Sequence, residues 1–121
     1  LMKGMADEMM FMQGLAHGSV ALLYDSGFVF DETAECLTDA TCGATVEASL
    51  QPYQTVATAA LGYFDEAIAL ATGAGFTIPA TWMGQDVTAA TLVEIAHSEK
   101  ARLRANVART PAEVRPSIGT P

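Results

Sequence analysis

Residues 11–32 read FMQGLAHGSVALLYDSGFVFDE, and this run constrains the chain more than any other. From Phe11 to Tyr24 it carries no charged side chain. Met5, Met9, Met12, Leu15, Ala16, Ser19, Leu22 and Leu23 recur at three- and four-residue steps, which predicts a helix over 5–25 with these residues on one buried stripe. Methionines at this density are ordinarily core filler, so Met5, Met9 and Met12 are expected inside. Gly14 and Gly18 lie four apart on the same helix. Each costs a helix interior about 1 kcal/mol relative to alanine, so their presence points to the close approach of another helix. Asp25-Ser26-Gly27 ends the helix, with Gly27 placed to act as a left-handed cap. Phe28-Val29-Phe30 then leaves as a short extended run. A helix of this kind needs a packing partner, and the rest of the chain must supply it.

Residues Asp31 to Leu50 are rich in Thr, Asp, Glu and small residues and read as a long loop, of the kind that is usually functional or disordered. Cys36 and Cys42 sit inside it. Their C-x5-C spacing matches no zinc pattern and neither histidine is near. The pair either remains two thiols or, in an oxidising compartment, closes a small loop. A second helix opens at Gln51-Pro52, where Pro52 suits a first turn. Tyr53, Val56, Ala57, Ala60, Leu61, Phe64, Ile68 and Ala71 mark its buried face, while Asp65 and Glu66 face away. It ends at Thr72-Gly73, where Gly73 and Gly75 permit a reversal. Phe76 to Gly84 is a connector in which Pro79 opposes a helix across the middle. Its Trp82 is the sole tryptophan. A tryptophan in a connector either contacts a ligand or plugs the core beneath the loop, and the plug is the commoner use.

A third helix starts near Thr88, a good N-cap. Leu92, Ile95, Ala96, Leu103 and Val107 form its apolar stripe, and it should stop near Thr110, before Pro111. Residues 111–121 hold three prolines and a glycine and read as a loose tail. The expected fold is all-α: three main antiparallel helices in a tetratricopeptide-like α-α repeat, with a long irregular loop after the first. Residues 1–110 form this helical domain. The 34-residue repeat period is not visible, because the insert from Asp31 to Leu50 breaks it. Helical-repeat surfaces mostly bind other proteins.

Charge narrows the function. The net charge is −8, and residues 1–99 carry one base against thirteen acids. That argues against non-specific nucleic-acid binding, which needs a basic face for phosphates. Five of the six bases lie between Lys100 and Arg115, where cations suit the negative end of the last helix. The longest uncharged stretch, Ala67–Gln85, is broken by Gly73, Gly75, Pro79 and Gly84, so no membrane-spanning run is expected.

Glu94-Ile-Ala-His97 is an E-x-x-H pair with both side chains on one helical face, as di-metal carboxylate sites require. Such sites need two of these motifs and two further carboxylates, and only this one is present. Glu94 and His97 are therefore the nearest approach to metal ligands in a chain to which no metal or cofactor is assigned. No nucleophile elbow, phosphate loop or metalloprotease motif occurs, and no enzyme is expected. Two alternatives stand beside the repeat reading: an independent small helical module for protein–protein contact, and a metal-binding bundle using Glu94 and His97. The chain opens on Leu1 and enters mid-helix, so a piece of a longer protein is expected.

The helix-one run resembles the first core helix of RagB/SusD-type outer-membrane nutrient-binding lipoproteins. Phe11, Gly14, Leu15, His17, Gly18, Ala21, Leu22, Leu23, Tyr24, Asp25, Phe28 and Glu32 carry the match. PYQTVATAALGYFDEAIALA resembles the next family helix through Pro52, Tyr53, Leu61, Asp65, Glu66, Ala67 and Ile68. The stretch from Phe76 to Val114 resembles the following connector and helix through Pro79, Trp82, Ala96, Arg102, Ala105, Ala108, Arg109 and Pro111. The three segments come in the family order and span roughly Met9 to Val114, the tetratricopeptide-like part of a longer protein.

The resemblance implies attachment to the cell-surface side of a bacterial outer membrane by a lipid anchor outside this chain. It implies a TonB-dependent transporter as partner and oligosaccharides or peptides as ligands. It carries over no binding residue firmly, which leaves Trp82 as the candidate ligand contact. An extracellular setting would also favour a Cys36–Cys42 disulfide.

Overall fold

The structure, a computed structural model, describes residues 2–30 and 50–114. Its elements are α1 (Met2–Leu23), β1 (Ser26–Gly27), β2 (Gln51–Pro52), α2 (Tyr53–Ala71), β3 (Thr77–Ile78), the one-turn α3 (Ala80–Met83), β4 (Val87–Thr88) and α4 (Ala89–Val107). The fold is all-α, as expected, with three long helices and four two-residue strands among the described residues. Cys36, Cys42, Glu32 and nearly all of the predicted loop lie outside the described residues.

Glycine decides how α1 packs. A methyl group on Gly14 would lie 2.8 Å from two ring carbons of Phe64, so the Phe64 ring rests on the bare backbone of α1. Gly18 faces both Ala60 of α2 and Leu103 of α4, and Gly4 faces Phe76. Contacts on α1 therefore advance as those on α2 retreat, and the two helices run antiparallel. α4 runs back along α2, with Lys100 bonded to Asp65 and Glu113 reached by Tyr53. The core between the three helices holds Phe11, Ala60, Phe64, Ala67, Ile78, Val87, Leu92, Ala96 and Leu103. Phe11 and Phe64 meet as a tilted aromatic pair, centroids 5.7 Å apart. A smaller cluster of Ala21, Val56 and Ala57 closes the far end.

The predicted stripe on α1 is corrected in part: Leu15 and Leu22 do pack against the core, but Met5, Met9, Met12, Ala16, Ser19 and Leu23 are exposed. The buried face is Gly4, Asp7, Phe11, Gly14, Gly18 and Ala21. Met5, Met9 and Met12 are 46%, 49% and 45% exposed. Both sets follow three-and-four spacing, so periodicity alone does not choose between them. The glycine set wins because only it lets α2 come close enough for Phe64 to pack.

The same junction appears twice. β1 pairs antiparallel with β2, Ser26 opposite Pro52, and β3 pairs antiparallel with β4, Thr77 opposite Thr88. Each ladder ties the exit of one long helix to the entry of the next. Gly27 belongs to the first ladder and is not a left-handed cap. Among the described residues only Gly73 (φ 73°) and Gly84 (φ 81°) have positive φ. Gly27 is needed for space instead, since a Cβ there would come within 2.4 Å of Val20. α1 accordingly stops at Leu23, two residues earlier than predicted, because the chain turns into the ladder.

Thr88 caps α4 as predicted, its side chain accepting from the Thr91 N–H at 3.2 Å. Pro52 and Pro79 each occupy the position just before a helix. Residues 111–114, expected to be loose, instead make a helical turn. Thr110 and Glu113 form its capping box, with Thr110 N–H donating to the Glu113 carboxylate and Glu113 N–H donating to Thr110 Oγ1. No helix among the described residues is long and apolar enough to cross a membrane.

Candidate functional site

Trp82 is carried on a small rigid platform. Pro79 starts α3, and Gly84, in the left-handed conformation, ends it by donating to the Ala80 carbonyl at 2.8 Å. Ala80 N–H donates to Asp86 Oδ1 at 2.9 Å, and the β3–β4 ladder pins both ends. The indole is not a core plug: it is 39% exposed and lines an open groove with Met5, Glu8, Met9 and Met12. Pro79 does not exclude helix here but starts one turn of it, and that turn lifts the indole outward. The groove has a volume of about 240 Å³ and an almost wholly apolar lining. It offers an aromatic face, soft thioether walls and one carboxylate. That set can hold an apolar or CH-rich surface and has no nucleophile–base pair with which to transform it.

A second niche of about 150 Å³ lies at the other end of α1, lined by Ala16, His17, Val20, Phe28 and Phe30. His17 Nδ1 lies 2.8 Å from the Gln13 carbonyl, and Phe30 N–H donates to Nε2 at 3.4 Å. The tautomer with its proton on Nδ1 meets both contacts. The ring also rests 4.8 Å from the centroid of Tyr63. His17 thus fastens the exit of α1 to the helix itself.

A dense polar cluster is built around Arg109. Its Nη1 donates to Asp25 Oδ1 at 2.6 Å, and its Nη2 donates to the carbonyls of Ala21 and Tyr24 at 2.8 and 2.9 Å. The guanidinium stacks on the Tyr53 ring. The Tyr53 hydroxyl donates to Glu113, 2.7 and 2.9 Å from its two oxygens. Glu113 also accepts from the Arg109 N–H at 2.8 Å and from Gln54 Nε2 at 3.3 Å. The Arg109 backbone bond, then the Tyr53 hydroxyl, lower the Glu113 pKa to about 2. The same hydrogen bond raises that of Tyr53. An apolar hollow of about 180 Å³ beside it is lined by Tyr53, Ala57, Leu61 and Val107 among others. Both terminal nitrogens of the Arg109 guanidinium, the Tyr53 hydroxyl and both Glu113 oxygens are engaged within the protein, so the cluster acts as a fastening. The sequence reading placed these bases near a helix end but missed the cluster. The signal was the TPAE capping box directly after Arg109.

Glu94 and His97 sit on the exposed side of α4. No group of three or more His, Cys, Asp or Glu able to hold a metal occurs among the described residues. Asp7 is the outlier of the interior. It is fully buried, neither carboxylate oxygen has a hydrogen-bond partner, and burial raises its pKa to about 6 against the opposing charge of Lys3. Compared with protein-family models, curated proteins and solved structures, the chain matches none.

Proposed function

We propose that this chain is the helical-repeat part of a RagB/SusD-type cell-surface lipoprotein. In this reading it is a scaffold and binding module that helps capture oligosaccharide or peptide nutrients for a TonB-dependent outer-membrane transporter. One observation carries the reading: residues that match the family in three separate segments meet in space. Asp25 from the first, Tyr53 from the second and Arg109 from the third converge on one fastening. Gly14 and Gly18, also matched, seat α2 and α4, and the matched prolines Pro52 and Pro79 each precede a helix. Residues used in this way belong to a scaffold. Trp82, a further matched position, faces outward in an apolar groove and is the candidate ligand or partner contact. The module binds and positions, and is not an enzyme; a lipid anchor outside residues 1–121 holds it at the outer membrane.

The reading frame upstream of Leu1 tests this directly. A signal peptide ending in a lipidation cysteine supports it, and an initiator codon immediately before Leu1 overturns it. The exposed methionine face of α1 favours one second reading, an independent helical module for protein–protein contact. The initiator codon is the result that reading requires.

A further inference from the structure

We propose that the groove between α1 and Trp82 binds a soft monovalent metal cation, of the copper(I) class, through the thioethers of Met5, Met9 and Met12. This proposal does not rest on the nutrient-uptake reading. The three methionines line one groove together with Glu8 and Trp82. They stand at i, i+4 and i+7 on α1, within an arc of about 60° at 100° per residue. Successive members are therefore about 5–6 Å apart at Cβ, and their flexible side chains can turn two sulfurs onto one ion. Exposure removes the usual reason for methionines at this density, which is to fill a core. Leucine forms a helix as readily, so what methionine adds to an outward face is its sulfur.

The donor set selects the ion. Thioethers are soft ligands that suit copper(I) and its redox-inert counterpart silver(I), whereas magnesium, calcium and manganese take oxygen. Zinc is held by thiolate, imidazole or carboxylate, and among the described residues no three such groups come together. Thioethers are neutral, so the charge of the ion must be balanced elsewhere. Glu8 is the one carboxylate of the groove, which matches a single positive charge. Trp82 presents an indole, the best of the aromatic faces for a cation. Its α3 turn is already fixed by Pro79, Gly84 and Asp86, so that wall of the site is built before the ion arrives. The field of the chain agrees, since residues 1–99 carry one base against thirteen acids.

Met9 is the central ligand. Met5 and Met12 are about 10.5 Å apart along the helix axis, too far to share an ion without the residue between them. Met9 pairs with Met5 on one side or with Met12 on the other. Met10 and Met83 pack against the core and do not line the groove, so they serve as controls within the same molecule.

The test is a titration of the full chain with silver nitrate in chloride-free buffer. Cys36 and Cys42 are replaced by serine, because thiolates would outcompete thioethers for the ion. Methionine methyl signals are followed by NMR, and Trp82 emission on the same samples. One equivalent of silver(I) should move the methyls of Met5, Met9 and Met12, leave those of Met10 and Met83 in place, and quench the indole. Zinc(II) should do none of these. Met9→Leu should weaken silver binding at least tenfold and leave the circular-dichroism melt unchanged, since the side chain faces solvent. Groove methyls that stay in place at saturating silver would overturn the proposal. So would equal movement of all five methyls, an equal response to zinc, or binding untouched by Met9→Leu.

Discussion

The guanidinium of Arg109 sits over the ring of Tyr53, its central carbon 3.8 Å from the ring centroid, and this contact joins all three long helices. Tyr53 opens α2, Arg109 follows α4, and the arginine's other edge reaches the final carbonyls of α1. The last carbonyls of any helix lack partners within it. Here a residue more than eighty positions away supplies them, from a planar cation suited both to forked bonding and to stacking.

Arg109→Ala should therefore destabilise the fold by about 2 kcal/mol, combining charged hydrogen bonds to carbonyls with a partly exposed cation–π contact. Asp25→Ala should cost less than about 0.5 kcal/mol, because the Asp25 side chain is almost fully exposed and surface ion pairs contribute little. Arg109→Lys should fall between the two. Urea unfolding followed by circular dichroism measures all three. Equal losses for Arg109→Ala and Asp25→Ala would show that the ion pair, and not the carbonyl fork, holds the cluster.

Gly14 and Gly18 look equivalent in sequence and should respond oppositely to alanine. At Gly14 a methyl overlaps the Phe64 ring at 2.8 Å inside a filled core. Gly14→Ala should cost about 1–3 kcal/mol through overpacking, outweighing its gain in helix propensity. At Gly18 the nearest atom would be Leu103 Cδ2 at 3.5 Å, an ordinary contact. Gly18→Ala should stabilise by up to about 1 kcal/mol. Thermal melts of the two variants decide this, and destabilisation by both would mean that α1 also lies too close to α4 for a methyl.

Much of the fold was legible because its signals are local. Thr88 caps α4 as its position before an apolar run implied, and the Gly14/Gly18 pair announced a close helix contact. What failed was the choice between two sets of residues with the same period. Met5, Met9 and Met12 outrank Gly4, Asp7 and Gly14 in hydrophobicity, yet the smaller set is inside, because interior space is set by the partner helix. Trp82 was misplaced for a related reason. Hydrophobicity says that an indole prefers burial, but the one-turn helix after Pro79 turns this one outward. The Arg109 cluster was missed because most of its members are far apart in sequence. Its one local signal, the Thr110–Glu113 capping box, was there to be read, but the prolines and glycine of residues 111–121 pointed to a loose tail instead.

Asp7 should make stability fall as pH rises through the mildly acidic range. Its carboxyl titrates at about 6 in the fold against 3.8 in the unfolded chain, so the folded state binds the proton more tightly. The penalty is absent below pH 3.8, develops between 3.8 and 6, and is complete above 6, where two pH units correspond to about 3 kcal/mol. Glu113 acts in the opposite sense: its stabilisation is full above pH 4.5 and is lost as pH falls toward 2. The wild-type melting temperature should therefore rise from pH 7 to about pH 5 and drop below pH 4. Asp7→Asn should raise stability at pH 7, flatten the rise between pH 4 and 6, and leave the acid limb intact. A rise of the same size in Asp7→Asn would assign the titration to another group.

Trp82 gives the most direct check on the groove, because it is the chain's one tryptophan and its emission reports a single environment. An indole 39% exposed beside Met5, Met9 and Met12 should be reached by acrylamide, and in dilute protein its emission should lie on the red side of a buried tryptophan's. Removing it tests the same point energetically. A core plug truncated to alanine costs about 3–5 kcal/mol through lost burial and the cavity left behind. Trp82→Ala should cost no more than about 1 kcal/mol, since the α3 turn is held by Pro79, Gly84 and Asp86 and not by the indole. If oligosaccharide or peptide ligands use this groove, the same variant should lose their binding while keeping the wild-type melt, a separation that a structural tryptophan does not allow. A melt lowered by several kcal/mol together with a quencher-resistant, blue-shifted emission would return Trp82 to the core and remove the groove as a binding surface.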